Sequence, residues 1–211
     1  MCGYPVHVIA SSLGAAYAIR VADEHPELIS SMVLNCPTGS ETLNRRPGMA
    51  GAAFYGLLQS PVLGTSFYNV MASERSIRDF ARDNMFYDHR RVSDRLVTNL
   101  YATSHQPGAQ HAIAAFLAGY LNTDTRLPFS RLTQQIVLVW GKQDTTSPVD
   151  QGILLQHLNP RTTLEVFDYC RMMPEQEQPE SLTRWSVPPC CRAPPPRVQN
   201  PPAKFTCSRR S

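Results

Sequence analysis

The chain has 211 residues, of which 42% are hydrophobic and 18 are prolines, and a formal charge of +3. That length suits one domain with room for an inserted subdomain. No run of about eighteen apolar residues occurs and no basic-then-apolar leader opens the chain, so neither a membrane span nor a signal peptide is expected.

The charge is unevenly spread. After Glu180 there is no acidic residue, and Arg184, Arg192, Arg197, Lys204, Arg209 and Arg210 give the tail +6, so residues 1–180 carry a net −3. A mildly acidic body lacks the basic patch that nucleic-acid binding needs. Of the six cysteines, Cys190, Cys191 and Cys207 fall in the tail. Cys2, Cys36 and Cys170 lie far apart without metal-ligand spacing. They read as reduced thiols of a cytoplasmic protein, and no metal or cofactor is implied.

In chain order, the first strand is Val6–Ile9. It runs directly into Ala10-Ser11-Ser12-Leu13-Gly14 and an alanine-rich helix from about Leu13 to His25, limited by Pro26. A strand, a sharp turn and a helix put Ser12 at an apex. A serine hydroxyl becomes a nucleophile only when exposed at such a turn, with a base beside it and backbone N–H groups facing the developing oxyanion. The spacing is that of a G-x-S-x-G elbow with Ala10 in the first position. Its small residues are expected to allow strand and helix to approach closely. The bland alternative is a serine that merely caps the helix.

A second strand spans 31–36 and ends at Pro37, Thr38 and Gly39. Strand, helix and strand make a βαβ unit, hence a parallel sheet. Residues 40–130 read as helical, with candidates at Ala52–Gln59, Ser66–Ala72, Ser76–Met85, Ser93–Ser104 and Gln110–Leu121. Ser93 reads as an N-cap, and Pro107-Gly108 separates the last two. Aromatic residues are frequent there. They suit a helical subdomain with its own core, or a lid facing an apolar substrate.

The α/β pattern returns with the buried strand Gln135–Gly141. The polar loop Lys142–Thr146 follows, then a helix with Ser147 as N-cap and Pro148 in its first turn, ending at Asn159-Pro160. The last strand is Thr162–Phe167. Asp144 lies just past a strand end, on the sheet edge where parallel folds gather their functional loops. It could orient a histidine, or simply favour the turn. The order of elements gives α/β with an inserted helical cap.

At this point the chain resembles the α/β-hydrolase superfamily with a helical cap. The resemblance rests on Val8–Gly14 and the helix through His25-Pro26-Glu27, on Val33–Pro37, on Val137–Pro148, and on Cys170–Glu180. It covers about residues 4–180. It implies a partial hydrolase sheet divided as core (1–39), cap (40–130) and core (131–180), followed by a disordered Pro/Arg/Cys-rich tail (181–211). By analogy Ser12 is the nucleophile, Asp144 the acid, and the Leu13 amide an oxyanion donor. The implied partner is a small-molecule substrate and the implied chemistry is a serine hydrolase cleaving an ester or related acyl bond.

The sequence departs from the family in three places. The family signature Gly-His-x-Pro-(His or other)-x-Glu-x-Pro-Glu is here Arg171-Met172-Met173-Pro174-Glu175-Gln176-Glu177-Gln178-Pro179-Glu180, so Met172 or Glu175 stands where the histidine is expected. A thioether takes no proton. Glu175 could, with a pKa raised by Asp144. His7, His25, His89, His105, His111 and His157 are poor substitutes by position. The family's strands ahead of the elbow are absent, which would leave the elbow strand on a sheet edge. Seven prolines in residues 181–211 predict no closing helix there; the tail reads as a frame-shifted end or as a proline-rich ligand for an SH3-type partner. The alternative function is a catalytically inactive member or fragment that keeps a ligand pocket.

Overall fold

The computed structural model describes residues 4–186. Cys2, Cys190, Cys191, Cys207 and the proline-rich run lie outside the described residues. Four parallel strands form one sheet in the order β1 (Val6–Ser11), β2 (Ile29–Asn35), β3 (Gln135–Gly141) and β4 (Thr163–Phe167). The register pairs Ser11 with Asn35 and Asn35 with Val139, which brings the carboxyl ends of the three strands that matter level with one another.

Alternation along the strands splits the core. Met32, Leu34, Ile136, Leu138 and Trp140 point to one face, where helix α1 (Ser12–Glu24) supplies Ala15, Ile19 and Ala22. Val33, Val137 and Val139 point to the other, against Phe167, Cys170 and Leu182. That is the period-two pattern of a sheet covered on both sides.

Leu182 corrects the expectation for the tail. The chain continues past residue 180 in a helix of its own, Pro179–Ser186, whose Leu182 is buried against the sheet. Pro179 starts this helix, where a missing N–H costs nothing, and the proline-dense stretch begins only beyond it. The return from cap to core also precedes residue 130. A helix absent from the sequence reading, α7 (Arg126–Arg131), packs against α1 and places Phe129 in the main core. Its central Pro128 hid it.

Between β2 and that helix lies the cap: α2 (Met49–Leu58), α3 (Leu63–Met71), α4 (Glu74–Phe80), α5 (Asp94–Ser104) and α6 (Ala109–Leu117). The expected helices are all present with shifted ends. The candidate Ser76–Met85 instead begins at Glu74 and passes into a wider turn over Ala81–Met85. Ser93 caps α5 as expected, accepting from the Leu96 amide at 3.2 Å. The cap's small core is Ala81, Phe86, Val92 and Val97.

Candidate active site

β1 passes into α1 with no loop between them. Ser11 is the extended N-cap residue and Ser12 begins the helix with φ +50°. A serine in the left-handed region is strained by its Cβ against the backbone. It is held there because β1 is fixed by β2 and α1 by the buried Ala15 and Ala16. The Leu13 amide falls in the first helical turn, where the geometry leaves N–H groups without intrahelical acceptors. The expected crowding at Gly14 is not found: a Cβ there would meet nothing within 4 Å. The close approach is carried by Ala15 and Ala16, both 0% exposed.

Asp144 follows β3 and is buried. Its Oδ1 accepts from the Thr146 amide at 2.8 Å, the Thr146 hydroxyl at 2.6 Å and the Ser147 amide at 3.0 Å. Those bonds shape the turn into helix α8 (Val149–Leu158), where Pro148, and not the expected Ser147, occupies the cap position. Oδ2 is buried without a hydrogen-bond partner. The Cys36 thiol is within electrostatic reach, but it gives its hydrogen to the Val139 carbonyl at 3.8 Å. Burial first, then the negative Asp144, pushes that thiol well above the usual range. Asp144 is thus both a turn residue and a carboxylate with one oxygen to spare.

The segment after β4 packs against the end of β3 and the start of this loop, where the Gln143 amide donates to the Cys170 carbonyl at 3.0 Å. Gly141, the last residue of β3, makes room for it, since a Cβ there would lie 2.0 Å from the Arg171 carbonyl oxygen. The same segment is tied to the cap. Arg91 donates to the Gln176 and Glu177 carbonyls, and Arg171 donates to those of Arg82 and Asp83. The buried Glu177 accepts from the amides of Tyr87, Asp88 and Arg171.

These ties bring both candidate base positions to the strand ends. The Met172 sulfur is 3.9 Å from the Thr146 hydroxyl that holds Asp144, so a thioether stands beside the acid. Glu175, on the short helix α9 (Pro174–Glu177), accepts from Asn35 Nδ2 at 2.7 Å, and the same Nδ2 donates to Ser11 Oγ at 3.0 Å. Burial raises the Glu175 carboxyl, opposed by its own backbone N–H. Asp144 is not among the causes, which corrects the reason given from sequence. Sequence reasoning missed Asn35, although a lone amide ending the apolar run Met32-Val33-Leu34 was a signal of something to bind.

The profile of the alpha/beta hydrolase fold family matches residues 4–178. The chain belongs to that family. Among curated relatives, it is similar to a 2-hydroxy-6-oxononadienedioate/2-hydroxy-6-oxononatrienedioate hydrolase of Cupriavidus pinatubonensis, with 24% identity over 86% of this chain and 61% of the relative. A 2-hydroxy-6-oxo-6-phenylhexa-2,4-dienoate hydrolase of Burkholderia cepacia matches at 23% over the same shares. Among solved structures, a meta-cleavage product hydrolase of Pseudomonas fluorescens superposes with a TM-score of 0.65 at 22% identity, over 86% of this chain and 62% of that one. The chain therefore spans about three fifths of the length of the curated relatives it matches.

Against the family's pattern, the histidines of this α/β-hydrolase chain are engaged elsewhere. His7 bonds Ser31 at 2.7 Å, His111 bonds Gln59 at 2.7 Å, and His105 stacks on Tyr101 with centroids 3.9 Å apart. His25 faces Glu27, and His89 and His157 are exposed. Among the described residues no group of three or more His, Cys, Asp or Glu side chains converges as a metal site requires. No helix of the described residues is long and apolar enough to cross a membrane.

The cap holds an apolar cavity of about 540 Å³ walled by Met71, Phe80, Met85, Leu100 and Phe116, among others. Its polar wall groups are already bonded: Tyr68 to the Ser104 carbonyl, Ser76 to that of Val70, and Ser104 to that of Tyr101. Such a wall offers contact area and asks for no polar partner. Two of its residues, Ile77 and Met85, pack against the same cap cluster as Met173, while every residue lining the cavity belongs to the cap.

Proposed function

We propose that the protein is a serine hydrolase acting on an ester or related acyl carbonyl of a small apolar molecule. Ser12 is the nucleophile, Asp144 occupies the acid position and the Leu13 amide is an oxyanion donor. The observation that carries the reading is Ser12 in the left-handed region at a junction without a loop, a strain that a plain helix cap does not need. The apolar cap cavity supports an apolar substrate. The named relatives support a carbonyl as the reacting group, since the substrates in their names carry an oxo group. The buried free thiols Cys36 and Cys170 suit a cytoplasmic setting.

A short-chain nitrophenyl ester tests this. Saturable hydrolysis that falls to the buffer rate in Ser12→Ala is expected. Turnover unchanged by Ser12→Ala would overturn the assignment. A second reading, an inactive member that only binds ligand, is favoured by Met172 beside the acid. It predicts that apolar acids of cap-cavity size raise the melting temperature while no ester is turned over.

A further inference from the structure

We propose that Glu175 is the general base of this site and that Asn35 is the residue that positions it. The proposal rests on the reading of Ser12 as nucleophile. The Asn35 amide, 3% exposed, spends both Nδ2 hydrogens on the site, one on Glu175 Oε2 at 2.7 Å and one on Ser11 Oγ at 3.0 Å. A single side chain thus links the carboxylate to Ser11, the residue that precedes Ser12. No other side chain among the described residues hydrogen-bonds that carboxylate. The segment bearing it cannot drift, because Arg91, Arg171 and Glu177 tie it to the cap on either side of the site. Gly141 lets the segment's Cys170-Arg171 end pass close over β3.

Desolvation makes this carboxylate a stronger base than an exposed one, which moves it toward the pH at which a base is useful. Asn35 Oδ1 is buried without a partner. It is an acceptor held at the strand ends and suits the hydrogen of a substrate hydroxyl or of the attacking water.

The step balances without a further reagent. Glu175 takes the proton of Ser12 Oγ as the oxygen bonds to the acyl carbon. The tetrahedral oxyanion collapses, the bond to the leaving oxygen breaks, and Glu175 returns the proton to that oxygen. Water then attacks the acyl-serine with its proton going to Glu175, and collapse releases the acid and returns the proton to Ser12. Asp144 takes no part in this cycle; it holds its turn.

The test is the rate at which a fluorophosphonate modifies the full chain between pH 4 and 8, read by intact mass. The wild-type rate is expected to rise through one ionisation in the carboxylate range, displaced upward, and then level off. Glu175→Gln should lose about 100-fold or more and the inflection with it. Glu175→Asp should keep the inflection at a reduced rate. Asn35→Ala should move the inflection and slow the reaction without abolishing it, which a purely structural role would not do. A flat wild-type profile overturns the proposal whether or not Glu175→Gln folds, and so does a Glu175→Gln protein labelled at the wild-type rate. Labelling of Glu175→His but not of wild type removes Glu175 as base and leaves Ser12 as nucleophile. Folded wild type and Glu175→His that both resist the reagent remove the Ser12 reading itself.

Discussion

The two ends of the sheet edge that carries the candidate site are built differently. At the β1 end Ser12 follows a strand paired on one side only among the described residues, with Val6 43% and Ile9 57% exposed. At the β3 end Asp144 follows a strand whose residues from Ile136 to Trp140 are all buried. Ser12 stands in a strained and open place, Asp144 in a packed and hydrogen-bonded one. The acid loop is therefore retained by folding whether or not it serves catalysis, because Asp144 builds the turn into α8. The elbow has no such structural need for its shape. Its strained shape is therefore the stronger sign of chemistry.

The largest effect that separates the two ends is in the core. Leu138→Ala on β3, at 0% exposure, should cost about 2–5 kcal/mol in denaturant unfolding. Ile9→Ser on β1 should stay within about 0.5 kcal/mol. Comparable losses would mean that the β1 face is covered in solution.

Next is Gly141→Ala. Its Cβ would meet the Arg171 carbonyl, so the 170–178 segment must move at a cost of about 1–3 kcal/mol. Ester turnover should fall further than stability alone explains, because Glu175 moves with that segment. Full turnover would show that the segment is not part of the site.

Asp144→Ala should cost about 1–3 kcal/mol, since two turn amides and the Thr146 hydroxyl lose their acceptor. Asp144→Asn keeps an acceptor and should recover most of that. Turnover per folded molecule should remain within a few-fold in Asp144→Asn, as no imidazole is there to orient. A loss of about 10⁴-fold, the scale of a triad acid replaced by its amide, would restore the triad reading.

The smallest effect is a pH dependence. Glu175 is raised in the fold, so its contribution is complete below the unfolded value of about 4.3 and is lost as pH rises through the raised folded value. Glu175→Gln should therefore gain stability relative to wild type as pH climbs from about 4 toward 7. The gain stays below ~1 kcal/mol because the carboxyl keeps solvent contact. Melting curves of both proteins across that range read it, and a gain that shrinks with rising pH contradicts it.

How far the sequence spoke depended on the kind of constraint. The βαβ start, the buried strand β3 and the Ser93 cap follow from local pattern, and so were legible. The helix Arg126–Arg131 was hidden by Pro128, and the helix Pro179–Ser186 by the prolines that follow it, because composition over a long window masks a short element. Ser12 and Asp144 stood out through turn chemistry at strand ends. Asn35 did not, because its role depends on a residue 140 positions away, which no local spacing encodes. Glu175 was visible only as an occupant of the expected histidine position. Its partner and the cause of its raised pKa needed the fold.

The most direct measurement of the central claim is the site of covalent capture. The folded chain is treated with a fluorophosphonate near neutral pH, digested, and the adduct located by mass spectrometry. One equivalent on Ser12, none on the neighbouring Ser11, and none in Ser12→Ala is the predicted result. An adduct on Ser11, or a folded protein that takes up none, would contradict it.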